Sequence, residues 1–423
     1  MIDIKLLREN PDMFRQAAAD KNMKVDIDAL LNVDAEIRQY KTKLQDVKTA
    51  QNEAGKSIAK LPAEEKSAVI AEMARLKEQA RQYEETLERL EPEFHELMLL
   101  MPQAPHPDAP RGKDDTQNVE VKRVGKVREF DFQPKDHVTL GEELDIIDIP
   151  RAVKLAGSRN FILKGAGCLL HQAVLRLALD MMVGRGYTPM TVPVLVNDSV
   201  MEGTGYFPLG REQAYLCERD GQALVGTAEV PVTAYHSDEI LSEAELPKKY
   251  VAMSTCFRRE AGAAGKDTRG LYRIHFFDKV EQVILCKADP QESARMHEEI
   301  IKNSEDLLQT LELPYRILEV CTGDMGQGKV RMYDIETWMP SRKSYGETHS
   351  ASRFHDFQAR RLNLRYKDEN GKNQFVHTLN NTVVASPRIL IPILELNQNA
   401  DGSVTIPKAL RPYMGGMEKI VKK

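Results

Sequence analysis

The chain has 423 residues, room for two or three domains and a large buried core. Its 59 basic and 64 acidic side chains leave a net charge of −5, which excludes a wholesale polycation, so any nucleic acid must be met by a local basic face. Five dispersed cysteines with no C-x-x-C pair argue against a zinc ribbon or disulfide scaffold and for a reducing cytoplasm, and the pattern predicts neither a membrane span nor secretion.

In chain order, a short helix is expected over Ile4 to Ala19, capped near Asp3. A heptad rhythm follows. Ile37, Tyr40, Leu44, Val47, Ala54, Ile58 and Leu61 alternate steps of three and four if Gln51 fills one slot. Val69, Met73, Leu76, Ala80, Tyr83, Leu87, Leu90, Phe94 and Leu97 then do so without a miss. Such spacing keeps one narrow apolar stripe on each helix and favours a two-helix supercoil. Only a few residues around Pro62 separate the stripes, so the prediction is an antiparallel hairpin about 45–55 Å long, kinked at Pro92. It has too little apolar surface for a globular domain, and a dimerisation rod is one reading. Residues 31–60 carry six basic side chains (Arg38, Lys41, Lys43, Lys48, Lys56, Lys60) against four acidic ones, and residues 61–100 five against ten. The first helix could therefore meet phosphates, while the second presents a solvated face.

Residues 102–118 hold four prolines and then a polar run, which reads as a stiff linker between an N-terminal domain at 1–101 and a second at 119–423. Beyond it, Gly167–Gly184 reads as a mostly buried helix and Thr188–Val196 as a strand broken by Pro189 and Pro193. Runs 250–260, 272–286, 315–321, 331–338, 361–367 and 374–385 read as strands. The fold class is α+β, an antiparallel sheet flanked by helices and preceded by a helical arm.

Three stretches carry chemistry. On strands, alternate residues share a face. Arg258 and Glu260 then point one way, as do Arg273, His275, Phe277, Lys279 and Glu281, joined by a loop with three glycines, Lys266 and Arg269. A solvent-facing strand would also alternate, but clustered guanidiniums match phosphate oxygens and a ring among them can stack a purine. In 376–399, Ser386 suits a helix N-cap and Pro387 the first helical position, which sets Arg388 against the helix dipole, as a residue with a ligand to meet would be. The following ILIPIL is apolar all round, which predicts a buried helix kinked at Pro392. In 343–361, Glu347 and Ser350 offer oxygen ligands suited to Mg²⁺. Gly323–Lys329 matches the phosphate-loop spacing, but Val330 stands where Ser or Thr is needed and a strand pattern follows, so it is rejected.

The stretch FRREAGAAGKDTRGLYRIHFFDKVE resembles motif 2 of the class II aminoacyl-tRNA synthetases. Pro193 after a long helix resembles motif 1, and ASPR ending at Arg388 resembles motif 3. GTAEV at 226–230, DFQARR at 356–361 and the helical arm are similar to the seryl-tRNA synthetases of bacterial type. The chain has HFF at 275–277 where that family often has HQF, and SRF at 352–354 where it has SNC. The resemblance implies a cytoplasmic homodimer that uses ATP and Mg²⁺, but no zinc, to make seryl-adenylate. It then charges tRNA(Ser), and tRNA(Sec) is a further candidate acceptor. It assigns the α-phosphate and the serine carboxylate to Arg258, the adenine to Phe277, Arg388 and Glu260, and the γ-phosphate to Arg273. The metal falls to Glu347 and Ser350, the serine amino group to Thr227 and Glu229, and its hydroxyl to Glu281 and Thr382. Two rivals are an adenylating relative that loads a carrier-protein thiol and a non-enzymatic coiled-coil adaptor. The retained arm speaks against the first, and intact Arg258, Glu260, Arg273 and Arg388 against the second.

Overall fold

The computed structural model describes residues 1–58, 62–263, 265 and 267–422; Leu61 of the first stripe, Lys60 of the basic count and Lys266 of the glycine-rich loop lie outside the described residues. The chain forms two compact units, one of Ile2–Ala19 and Met23–Pro102, the other of Met1, Asp20–Asn22 and Gln103–Lys423.

The first unit opens with two helices where one was expected, α1 (Ile4–Glu9) and α2 (Pro11–Asp20). Asp3 caps α1 by accepting from the Lys5 amide, and Pro11, which cannot donate to a preceding turn, starts a new helix instead of continuing it. The hairpin is made by α3 (Ile27–Ile58) and α4 (Ala63–Leu100), 32 and 38 residues long, or roughly 48 and 57 Å at 1.5 Å per residue. Val33, Ile37, Leu87 and Leu90 form its buried seam, extended by Tyr40, Leu44, Phe94 and Leu97, which is the stripe the heptads predict. Lys41–Glu91 and Lys48–Glu84, each 2.8 Å, cross between the helices; half-exposed pairs of this kind contribute about 0.2–1 kcal/mol, so the seam holds the hairpin and the ion pairs tune its register.

The second unit is built on a sheet of eight strands among the described residues. They are β1 (Val119–Val124), β2 (Thr188–Met190), β3 (Lys248–Phe257), β4 (Phe276–Cys286), β5 (Tyr315–Glu319), β6 (Arg331–Met339), β7 (Ser344–His355) and β8 (His377–Ser386), in the order β1-β5-β6-β7-β8-β4-β3-β2. All neighbours are antiparallel except β2, which runs parallel to β3; its Pro189 is tolerated because β2 is an edge strand. Of the run 361–367 expected as strand, residues 361–364 instead close a short helix ending at Arg361 and the turn after it, and Arg365–Lys367 is strand. Two helices, α5 (Ala166–Gly184) and α6 (Pro290–Thr310), cover one face of the sheet. Leu170, Val174 and Ala178 of α5 and Ile300 and Leu307 of α6 join Val280, Ile284, Leu379 and Val384 in one core. Contrary to the expectation of no membrane-length apolar run, α5 is long and apolar enough to cross a bilayer, and half of it is buried inside this core.

Residues on β4 alternate as the pattern requires. Val280, Gln282 and Ile284 face the helices, and the Gln282 side-chain amide donates to the Ile300 carbonyl. Phe277, Lys279 and Glu281 face the other way.

Candidate active site

The open face of the sheet holds a cavity of about 350 Å³, within the range of small-molecule sites. Its lining includes Glu229, Arg258, Glu260, Phe277, Glu281, Glu347, Ser350, Thr382 and Arg388, nine of the eleven side chains singled out from the sequence. Arg273 and Thr227 are not in it. Arg273 lines an adjoining cavity that shares Tyr206, Arg258 and Glu260 with the first. Thr227 sits behind Lys279, whose ammonium donates to its hydroxyl at 2.6 Å.

Local backbone explains these placements. Strand β3 ends at Phe257 and β4 starts at Phe276, so Arg258, Glu260, Arg273 and His275 lie beyond the regular alternation used to group them. Glu260 has φ +52°, a left-handed conformation costing a non-glycine residue about 1–2 kcal/mol. A 2.7 Å bond from the Arg273 guanidinium to its carboxylate helps hold it there. The Arg258 guanidinium lies 5.2 Å from the Phe277 ring centre, and Arg388 lies 4.5 Å from that of Tyr272. Arg388 also donates to the carbonyls of Tyr272 and Glu347, both at 3.0 Å. Ser386 is the last residue of β8 rather than a helix cap, and its hydroxyl meets the His171 ring at 2.8 Å. The helix α7 (Leu390–Leu396) begins two residues after Arg388, so this cation precedes the first turn instead of standing in it, and Pro392 falls in the first turn, where its missing N–H is harmless.

Glu347 and Ser350 are three apart on β7, a spacing that would set them on opposite faces of a regular strand. Ile335 pairs with His349 but Glu336 with Glu347, so Thr348 is an extra residue, a bulge that returns both side chains to the cavity. A second bulge, at Val383, places Thr382 opposite Glu281, and its hydroxyl donates to that carboxylate at 3.2 Å.

Charge divides the lining. Glu229 and Glu281 are both buried. Burial pushes the Glu281 carboxyl above its ordinary value, while Lys279, with its ammonium at 2.6 Å, pulls against that shift. The two oxygens of Glu229 accept from the Tyr206 hydroxyl at 2.9 Å and the Gln358 amide at 2.7 Å. Lys279 reaches Glu281, whereas these partners of Glu229 are neutral, so the Glu229 carboxylate is suited to receive a cationic amine. Arg258 and Arg388 elsewhere in the lining suit anions.

The metal expectation can be tested on the donors present. Glu347 and Ser350 supply oxygens only, and beside them Asp334 keeps a buried Oδ1 with no hydrogen-bond partner. Burial and then the Glu347 charge push the Asp334 carboxyl well above its ordinary value, and the Ser350 hydroxyl donates to it. Hard oxygen donors with unmet negative charge fit Mg²⁺.

Several contributors escaped the sequence reading. Lys279 was on the right face but was given no role. Gln358 lies inside the DFQARR run, yet only the fold brings it to Glu229. Gly326–Lys329, rejected as a phosphate loop, leads into strand β6 as argued, but it also forms part of the cavity wall. Ser352 and Phe354 of the SRF segment line the cavity, and Phe276 stacks on Phe161 at 4.7 Å, outside it.

Residues 1–105 match the seryl-tRNA synthetase N-terminal domain, and residues 215–397 match the class II tRNA synthetase core domain of the G, H, P, S and T enzymes. The serine–tRNA ligase of Deinococcus radiodurans is 46% identical over 418 residues, covering 99% of this chain and 98% of the relative. The chain belongs to the seryl-tRNA synthetase family. A second such ligase, from Fervidobacterium nodosum, is 44% identical, with 98% of each chain covered. The seryl-tRNA synthetase of Pyrococcus horikoshii, solved in complex with ATP, superposes with a TM-score of 0.93 at 36% identity, with both chains fully covered. Full-length membership of the seryl-tRNA synthetase family, arm domain included, leaves the carrier-protein and adaptor readings without support.

Proposed function

We propose that this chain activates L-serine with ATP and transfers the seryl group to tRNA(Ser). The observation that carries the reading is that one cavity brings together the buried carboxylates of Glu229 and Glu281 and the guanidiniums of Arg258 and Arg388. An amino acid needs the first for its ammonium, and a nucleotide triphosphate needs the second.

In this reading Arg258 draws the serine carboxylate and the α-phosphate together, which supplies both proximity and charge stabilisation. Phe277 and Arg388 enclose the adenine, Glu260 accepts from its edge, and Arg273, in the adjoining cavity, meets the γ-phosphate. Glu229, with Thr227 behind Lys279, receives the serine ammonium; Glu281 and Thr382 receive its hydroxyl. Alanine would leave that last pair unmatched in a buried site, the strongest available ground for rejecting it. Glu347 and Ser350 would hold Mg²⁺, which when bound neutralises the charge on the phosphate oxygens. Among the described residues no cluster of three or more His, Cys, Asp or Glu offers a metal cage, so phosphate and water would have to supply the remaining ligands.

Residues 1–101 serve as the tRNA-binding domain, with the basic residues of α3 toward phosphate. The proposed assembly is a homodimer, with exposed Val153, Leu155, Leu169 and Val183 of the catalytic unit as apolar residues a second copy could cover. The cysteines, all free among the described residues, suit the cytoplasm. Charging of tRNA(Sec) follows if the acceptor is recognised by shape and backbone. Serine-dependent ATP–pyrophosphate exchange together with seryl-tRNA formation tests the reading; exchange driven equally by alanine or by no amino acid refutes it.

A further inference from the structure

The turn Asp20–Asn22 belongs to the catalytic unit, although the residues before and after it belong to the helical one. All three of its side chains are fastened there. Asp20 pairs with Arg111 at 2.7 Å, and the Asn22 amide donates to the carbonyls of Lys113 at 2.8 Å and Gly323 at 3.3 Å. Between them Lys21 is 5% exposed, and its ammonium reaches the carbonyls of Gly326, Gln327 and Lys329 at 3.2, 2.9 and 2.6 Å. A lysine buried without a carboxylate among these acceptors is costly, so what it holds matters. An ammonium has three N–H groups for three carbonyls; a neutral amine has only two.

The segment it holds, Gly326–Lys329, is part of the wall of the active-site cavity, along with Thr204, Glu229 and Phe357. Two of its four residues are glycine, and its one internal backbone bond in the described set runs from the Lys329 amide to the Gly326 carbonyl at 3.2 Å. From outside, the Gln103 amide donates to the Gln327 carbonyl at 3.0 Å and Arg361 to the Gln327 side chain at 3.4 Å, so among the described residues Lys21 is the one group that gathers three of its carbonyls. It also presses close to its neighbour, since a Cβ on Gly328 would fall 2.4 Å from the Phe357 ring. Outward displacement would release Phe357, the sequence neighbour of Gln358, whose amide holds Glu229 at 2.7 Å.

We propose that Lys21 is a positioning residue for serine: it fixes the 326–329 wall from behind and so sets the affinity of the amino-acid end of the cavity. This rests on placing serine against Glu229, Glu281 and Thr382. A residue without contact to substrate, contributed by a turn some 300 positions away in sequence, then tunes KM rather than chemistry.

The test uses the full-length chain with Lys21→Met, of similar length but with no donors, and Lys21→Gln, with two N–H donors. Steady-state pyrophosphate exchange should show the serine KM raised at least tenfold in Lys21→Met and by a smaller factor in Lys21→Gln. The ATP KM should stay within twofold and kcat within threefold. Hydrogen exchange without substrate should quicken at residues 326–330 and not along 276–286. A serine KM within twofold of the parent in both variants overturns the proposal. So does a uniform quickening of exchange across the unit, which would mark a merely structural lysine. If Lys21→Met does not fold, Lys21→Gln decides alone, with an unchanged serine KM counting against the brace. Thr382→Ala measured alongside separates the two readings. A serine KM raised by Thr382→Ala but not by either Lys21 variant removes the brace and leaves the serine placement standing; one that none of the three moves removes both.

Discussion

Removing the ammonium of Lys279 should unbalance the whole amino-acid end of the cavity, and its cost can be bounded from the structure. Lys279 and Glu281 are 5% and 2% exposed, and the ammonium lies 2.6 Å from both the Glu281 carboxylate and the Thr227 hydroxyl. Removing one partner of such a buried pair typically costs about 3–5 kcal/mol, because the other charge is left without compensation. Glu281 has one escape, which is to take up a proton. From its ordinary value of 4.5 that costs about 3.4 kcal/mol at pH 7, at about 1.36 kcal/mol per unit, and the cost vanishes as the pH approaches 4.5. Lys279→Met should therefore destabilise the catalytic unit by about 3 kcal/mol at pH 7, with a deficit that shrinks as the pH falls. The chain's one tryptophan, Trp338, lies on β6 of that unit and reports its unfolding in urea. Adding Glu281→Gln to Lys279→Met should recover part of the loss, since a neutral amide no longer needs the cation. A loss below 1 kcal/mol that does not change between pH 5 and 8, or a double variant worse than the single one by the full cost of Glu281→Gln, would refute the charge balance described for this site.

Arg258→Ala should lower kcat/KM for pyrophosphate exchange about a thousandfold, the usual scale for losing a group that stabilises developing charge, and Arg258→Lys should rescue little because a point charge cannot replace the planar fork. Undiminished turnover would remove its assignment. Shortening the hairpin to end near the Lys48–Glu84 pair should spare exchange and lower tRNA charging at least a hundredfold. The remaining charging by the intact chain should also weaken steeply with salt while exchange does not; equal loss of both activities in a folded variant would count against a tRNA-gripping arm. His297 is fully buried beside the Ala351 carbonyl, and burial lowers its pKa to about 3 from the ordinary 6.5. Between those values the unfolded chain binds a proton that the native chain refuses, so this histidine's contribution is fully present above pH 6.5 and is lost on acidification by about 1.4 kcal/mol per pH unit. His297→Gln should flatten the pH dependence of unfolding between pH 6.5 and 5 by one proton, and an unchanged slope would contradict it.

What could be read before folding followed from short-range periodicity. The heptads of Ile37 to Ile58 and Val69 to Leu97 specify the hairpin because a helix repeats its face every few residues. Phe277, Lys279 and Glu281 were placed together because strand alternation is as strict. The failures occur where periodicity stops. Arg273 and His275 precede the start of β4, so counting in twos from Phe277 has no strand to run along there. Glu347 and Ser350 share the cavity only through the bulge at Thr348, which no spacing rule announces. Ser386 looked like a cap because Ser-Pro commonly opens helices, but here tertiary pairing extends β8 through it. Arg258, Arg388 and Glu281 were assigned roles through family resemblance as much as through chemistry. Lys21 and the 326–329 wall, held by contacts across the length of the chain, had no local signature at all.

The most direct measurement is a crystal structure with a non-hydrolysable seryl-adenylate analogue. The adenine should lie between Phe277 and the Arg388 guanidinium, the seryl hydroxyl within hydrogen-bond reach of Glu281 and Thr382, and Arg258 at the linking group. An analogue bound with its amino-acid end among the arginines, or outside the cavity over β4, β7 and β8, would contradict the account.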